Sequence, residues 1–236
     1  MKELIRQTIQ AINDPAIAAD GEKLDKLARF AQNLLDHGSE RGLTSLTDPS
    51  DIVRELIVDS LGAMRYISEG QRVADLGSGG GIPGIPLAVV RPESFFMMVE
   101  SQNRKSAWIA EQILDLGIQD RAHALPMRIE DVAHDINWRG KLDVVVAKAL
   151  SSLPSLIELA IPLLKVKGCL LAYKGVKAKE EIEQSANALE KLHCSVEECF
   201  TYTLDGRERC ICVIRKLRTT PKNYPRRMGV PQHSPL

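Results

Sequence analysis

The sequence predicts an α/β protein: a doubly wound, mostly parallel sheet of the Rossmann-like class, with an N-terminal helical cap and an antiparallel C-terminal hairpin. Three observations predict it. From Arg72 onward, short apolar runs alternate with stretches of helical periodicity. The first of those runs, Val73-Ala74-Asp75-Leu76, leads into Gly77-Ser78-Gly79-Gly80-Gly81-Ile82-Pro83-Gly84. A strand, a glycine turn and a helix start in that order make the ligand crevice of such sheets. Near the C-terminus, two strand-like runs flank Asp205-Gly206, a tight hairpin signal.

Residues 2–13 and 22–38 read as helices, the second from Leu24, Leu27, Ala28, Ala31, Leu34 and Leu35 at helical spacing. Asp14-Pro15 separates them. Asp20 is a candidate N-cap, although Lys23 stands where a capping box would have an acid. Thr47 or Asp48, ahead of Pro49, opens a third helix to about Ala63. Residues 1–66 thus form the cap. Residues 67–217 form the main domain, with strands at 72–76, 95–100, 121–125, 142–147 and 168–173 and helices at 84–90, 103–116, 152–163 and 177–192. The hairpin pairs 195–203 with 208–215. Residues 218–236, with Pro221, Pro225, Pro231 and Pro235, read as an irregular tail, mobile in isolation.

The glycine turn discriminates between ligands. A dinucleotide site has G-x-G-x-x-G. Gly77 and Gly79 fit that pattern, but its third place falls on Ile82. The run is instead D-x-G-x-G-x-G. Glycines let the backbone turn with positive φ and approach a ligand closely, and Pro83 suits the first turn of a helix. An acid at the strand tip, Asp75, suits a cationic group better than a pyrophosphate. S-adenosylmethionine offers an α-ammonium and no phosphate. The alternative is a tight turn without a ligand.

Composition narrows the class. The chain has 236 residues and is 44% hydrophobic, enough for a sizeable core. No apolar run reaches membrane-spanning length and the N-terminus lacks a signal-peptide core, so a cytoplasmic protein without membrane contact is expected. The five cysteines, Cys169, Cys194, Cys199, Cys210 and Cys212, form no C-x-x-C pair and read as small buried groups rather than a metal site. Lys plus Arg and Asp plus Glu both number 31, yet Arg215, Lys216, Arg218, Lys222, Arg226 and Arg227 lie in one stretch free of acids. An acidic body with a basic tail suggests an anionic partner met locally; a solvated terminus is the other reading.

Glu100, at the end of the second strand, is placed to accept the ribose hydroxyls of an adenosine. Ile129-Glu130 follows the third strand, where an adenine ring would lie. Lys148 and Lys174 end the fourth and fifth strands, where ligands of open sheets sit, and together could hold an RNA phosphate. No Ser-His-Asp set or Walker lysine stands near the turn, and the five histidines are scattered. A purine ring nitrogen needs no general base, only alignment against a sulfonium methyl.

The run Asp75–Gly84, continued by Ile85-Pro86-Leu87-Ala88, resembles the ribosomal RNA small subunit methyltransferase G family, also called glucose-inhibited division protein B. Leu43-Thr44-Ser45, Asp59-Ser60-Leu61, Arg91-Pro92, Glu100-Ser101, Arg104-Lys105, Arg128-Ile129-Glu130-Asp131, Ala149-Leu150-Ser151-Ser152-Leu153, Lys174-Gly175 and the tail from Tyr224-Pro225-Arg226-Arg227 to Ser234-Pro235-Leu236 are similar to family landmarks. The resemblance implies a class I S-adenosylmethionine-dependent methyltransferase forming 7-methylguanosine in small-subunit ribosomal RNA, acting as a monomer on RNA or a ribosomal particle. It carries cofactor contacts onto Gly77, Ile82, Ile129, Glu130 and Lys148; the residues' own reading adds Asp75, Gly79 and Glu100. Lysine at 148 departs from the family's arginine and loses its planar fork. His37, Gly38, Gly42 and Glu55-Leu56 depart in the cap. A methyltransferase of small molecules or proteins, and an RNA-binding relative weak in catalysis, are the alternatives.

Overall fold

The computed structural model describes residues 1–11 and 20–236. Seven strands form one sheet: β1 Arg72–Leu76, β2 Phe95–Val99, β3 Ala122–Leu125, β4 Leu142–Lys148, β5 Leu164–Lys174, β6 Cys194–Leu204 and β7 Arg207–Lys216. Their order is β3-β2-β1-β4-β5-β7-β6. β1 to β5 are parallel, β7 runs antiparallel to β5, and β6 pairs antiparallel with β7. The order reverses between β1 and β4, and a crevice opens at the strand ends there. Gly168 lets β5 bulge beside β4, because a Cβ would sit 2.8 Å from the Asp143 carbonyl oxygen.

Alternation along the strands divides the core. Val73, Phe96, Met98, Val144, Val146 and Leu171 face one cluster, shared with Leu24, Leu27, Phe30, Ile57 and Leu61 of the cap. Ala74, Leu76, Met97, Val99, Val145 and Leu170 face the other. Both faces are covered, as a parallel sheet requires.

Among the described residues, the cap comprises α1 Lys2–Ala11, α2 Gly21–His37 and a further helix, α3. The expected end of the first helix at 12–13 and the Asp14-Pro15 break lie outside the described residues. Asp20 caps α2 by accepting the Lys23 amide at 3.1 Å. α3 starts at Asp48, whose carboxylate accepts the Ser50 and Asp51 amides. It runs Pro49–Asp51, then as a π-helix over Ile52–Val58 and a 3-10 helix over Asp59–Tyr66. The irregularity has a side-chain cause: Lys148 donates to the Glu55 carbonyl, Ser60 Oγ to the Leu56 carbonyl and Tyr173 OH to the Ser60 carbonyl, satisfying groups a regular ladder would otherwise pair.

The remaining helices are α4 Gly84–Val90, α5 Asn103–Asp115, α6 Ile129–His134, α7 Leu153–Ala160 with a 3-10 turn at Ile161–Leu163, α8 Ala178–Gln184 and α9 Ala186–Lys191. The helix expected at 177–192 is broken at buried Ser185, whose Oγ donates to the Glu181 carbonyl at 2.6 Å.

The tail is irregular as expected, but it is held against the body. It packs on α6 and α7 and ends with a short helix, α10 Val230–His233. Arg139 donates to the Tyr224 and Pro221 carbonyls at 2.7 and 3.0 Å, and Arg226 makes a two-pronged contact with Glu158. Of the six clustered cations, Arg215 and Lys216 belong to β7 and the other four to the tail, and three of the six are consumed internally. Arg215 pairs with Glu197, Arg226 with Glu158, and buried Lys216 donates to the Ile161 and Leu164 carbonyls. Burial lowers Lys216 to a pKa of about 8. Cys169, Cys194, Cys210 and Cys212 are buried as expected, whereas Cys199 is exposed; burial raises the Cys210 and Cys212 thiols, and the Cys199, Cys210 and Cys212 sulfurs lie within 4.8 Å of one another.

Candidate active site

The glycine turn closes β1 onto β2. Gly77 and Ser78 donate their amides to the Val99 carbonyl at 2.9 and 3.1 Å. Gly77, Gly79 and Gly81 have φ of 68°, 55° and 93°, conformations that disfavour any Cβ. At Gly79 an added Cβ would meet nothing nearer than 3.9 Å, so this turn faces open space. At Gly77 it would strike Leu150 at 2.5 Å.

Opposite that space, Glu100 is 7% exposed. Its Oε2 accepts the Gly79 amide at 3.0 Å and its Oε1 the Gln102 amide at 2.8 Å. A carboxylate has room for about four donors, so each oxygen retains acceptor capacity. Ile129 opens α6 and is 9% exposed. Gly77, Gly79, Val99, Glu100, Met127, Ile129, Glu130 and Leu150 line a crevice of about 430 Å³. Main-chain approach at the turn, carboxylate acceptors at β2 and an apolar patch at Met127 and Ile129 fit an adenosine-bearing ligand.

The structure therefore brings together Gly77, Gly79, Glu100, Ile129 and Glu130. It does not bring Asp75, Ile82 or Lys148 to that crevice. Asp75 shares the Val73 face of β1, under α4. Its Oδ2 accepts the Gly84 amide at 2.9 Å, and its Oδ1 is buried without a partner. Burial, helped by the Glu100 charge, raises its pKa from 3.8 to about 7 despite that hydrogen bond. Ile82 packs against the cap-side core.

Lys148 lies on a second cavity with Glu55, Asp59, Tyr173, Lys174, Tyr202 and Arg209. Its Nζ is 2.5 Å from Asp59 Oδ2 and also donates to the Glu55 carbonyl. Lys174 pairs with Glu181 at 2.7 Å and donates to the Ser151 carbonyl at 2.9 Å. Both lysines lie on the rim, and each charge is met by a carboxylate, Asp59 for Lys148 and Glu181 for Lys174.

Several residues of the crevice had no individual signal in the sequence. Ala149, at φ 56°, turns the chain after β4 so that Leu150 covers Gly77. Met228, Gly229, Gln232 and His233 of the tail line the far side. Lys105 and Arg128 stand at the rim. One signal was available for Lys105: Arg104-Lys105 occupies the first turn of α5, where the helix dipole disfavours cations. Among the described residues, no carboxylate lies within ion-pair distance of Arg104, Lys105, Arg128 or Arg227.

Chemically, the crevice positions rather than deprotonates. Glu100 is engaged by two backbone amides, and Glu130 accepts the Gly229 amide at 2.9 Å. Neither carboxylate stands free as a base. Such a site suits transfer to an atom that already has a lone pair.

Comparison with known proteins agrees with this geometry. A family model described as rRNA small subunit methyltransferase G matches residues 23–211. The chain is 35% identical over 233 residues to the ribosomal RNA small subunit methyltransferase G of Desulfitobacterium hafniense, covering 98% of this chain and 95% of that protein. It is 38% identical over 208 residues to the protein of that name from Deinococcus radiodurans, covering 86% and 82%. Among solved structures, a SAM dependent methyltransferase from Aquifex aeolicus superposes with a TM-score of 0.55 at 17% identity, covering 74% of this chain and 97% of that one; this likeness is one of fold.

Proposed function

Because the chain belongs to the ribosomal RNA small subunit methyltransferase G family, we propose that it methylates N7 of a guanine in small-subunit ribosomal RNA, with S-adenosylmethionine as the donor. The observation that carries the reading is the left-handed turn at Gly77–Gly81 facing Glu100 across an open crevice at the point where the strand order reverses.

When bound, the cofactor supplies an electrophilic methyl group on a sulfonium. The chain's residues do the rest by placement. The remaining lone pairs of Glu100 receive the ribose diol. Ile129 packs on the adenine and the main chain at Ile129-Glu130 reads its edge. Gly77 and Gly79 let the backbone run close to the amino-acid end. Asp75 and Ile82 support the turn from behind, and Asp75 holds the start of α4 through Gly84. Lys148 acts at one remove: it ties α3 to the end of β4, and the next two residues carry Leu150 over Gly77.

Guanine N7 is an acceptor with a free lone pair, so attack on the methyl needs alignment and no base. Lys105 and Arg128 at the rim suit the phosphates flanking the target nucleotide. The deciding experiment incubates the protein and S-adenosylmethionine with unmodified small-subunit RNA and with the assembled particle, and maps 7-methylguanosine. A single modified guanine supports the proposal. Methyl transfer to neither substrate, with intact cofactor binding, overturns it.

A further inference from the structure

The C-terminal segment that follows the sheet does more than end the chain. Glu158 sits in α7, whose sequence is otherwise almost wholly apolar, and is 0% exposed. A carboxylate costs several kcal/mol to bury unless it is paired and hydrogen-bonded. Its partner is Arg226. Arg226 Nε lies 2.9 and 3.1 Å from the two Glu158 oxygens, Nη2 lies 2.6 Å from Oε2, and the Arg226 amide donates to Oε1 at 2.8 Å. Arg226 Nη2 also donates to the Ser234 carbonyl at 2.7 Å, which folds the last residues back on the clasp.

A second buried carboxylate grips the same segment. Glu130, 6% exposed, accepts the Gly229 amide at 2.9 Å. Gly229 has φ 80°, which turns the chain into α10. His134 Nε2 meets the Pro225 carbonyl at 2.9 Å, and Pro231 is buried. Two core carboxylates thus hold one short strap, and the strap places Gly229, Gln232 and His233 on the crevice that Glu100 and Ile129 line.

We infer that Gly229–His233 form a wall of the cofactor site against its adenosine end, and that Arg226, through Glu158, is the positioning residue that sets this wall. The inference rests on the cofactor reading above. It also divides labour at Glu130. The side chain of Glu130 anchors the strap, leaving its main chain and Ile129 to face the ligand. Gln232 and His233 then supply the polar side chains on that side.

The test uses the full chain and S-adenosylhomocysteine as the probe, by calorimetry and by amide hydrogen exchange. The Gln232→Ala/His233→Ala double variant removes two exposed side chains and should leave the melting temperature within a few degrees of wild type. Arg226→Lys keeps the charge on Glu158 but loses the fork. Both are expected to weaken binding by about tenfold, and to raise KM for S-adenosylmethionine with little change in kcat, as lost uniform binding does. In the wild type, the probe should slow exchange at residues 229–233. Wild-type binding with unchanged or tighter affinity in both variants, and no protection of the strap, overturns this inference alone. A wild type that binds neither S-adenosylmethionine nor its demethylated product overturns the cofactor reading, and this inference with it.

Discussion

Asp75 concentrates the tension of the site in one side chain. Its carboxyl titrates at about 7 in the fold against 3.8 ordinarily, because burial, helped by the Glu100 charge, outweighs the hydrogen bonding from Ser78 and the Gly84 amide. An acid raised in this way holds more protons folded than unfolded between those two values. The Asp75 contribution to stability therefore falls as pH rises from about 4 to about 7 and is constant above, with a total loss of about 4 kcal/mol at about 1.36 kcal/mol per unit. Asp75→Asn keeps an acceptor for the Gly84 amide and removes the charge, while burying an amide N–H that costs about 1–3 kcal/mol if unpartnered. The balance predicts a variant at least as stable as wild type at pH 8, with a flattened profile between pH 4 and 7, read by urea unfolding across that range. A wild-type profile that rises with pH there contradicts the assignment. The acid at the strand tip was legible from the run Asp75–Gly84. Its direction follows from alternation on β1: a residue two after Val73 shares the Val73 face, and that face meets α4 rather than the crevice.

At the scale of elements, α3 is where irregular backbone and candidate chemistry meet. The helix abandons α geometry between Ile52 and Tyr66 because Lys148 and Tyr173, from neighbouring strands, bond to its carbonyls. Asp59, 4% exposed, gathers Lys148 at 2.5 Å, Tyr202 OH at 2.7 Å and Arg209 at 3.6 Å. Lys148→Met removes one cation from this buried carboxylate and one donor from the Glu55 carbonyl. Breaking a buried pair costs about 3–5 kcal/mol, lessened here because Arg209 and Tyr202 remain; about 2–3 kcal/mol is expected in urea unfolding. Tyr202→Phe, which removes one neutral donor, should cost about 1 kcal/mol. Equal losses in the two variants would show that Lys148 is not what holds α3 to β4. The strands and the α2 N-cap were legible because period-two and period-3.6 patterns and an Asp cap are local signals. The break at Ser185, the π-helix and α6 were not. The π-helix and α6 depend on a side chain or carbonyl reached across the fold, which no window of sequence contains; the break at Ser185 rests on a bond to the Glu181 carbonyl four residues back, a local competition that helical periodicity does not register. The same holds for the strap, since nothing near Arg226 in the sequence marks Glu158, 68 positions away, as its partner.

Across the whole molecule, charge decides how RNA would meet the crevice. Net charge is zero, so long-range attraction must come from local cations. The basic stretch from Arg215 to Arg227 loses half of its cations to internal partners, Glu197 and Glu158 for Arg215 and Arg226 and two carbonyls for Lys216. Lys105 and Arg128 instead stand at the crevice mouth. Lys105 sits in the first turn of α5 and Arg128 immediately before α6, where the helix dipole makes a cation unfavourable by about 0.3–1 kcal/mol. Two opposite effects follow from Lys105→Gln/Arg128→Gln. Removal of unfavourable charge should leave stability equal or slightly raised, read as the urea midpoint. Loss of two phosphate contacts should weaken binding to small-subunit RNA and shrink the slope of log affinity against log salt by about 1.4, at about 0.7 per single-strand contact. Arg218→Gln/Lys222→Gln, in the tail but outside the crevice, should change that slope little. The reverse ranking, with the tail variant carrying the salt dependence, would move the RNA face away from the α5 rim and onto the terminus.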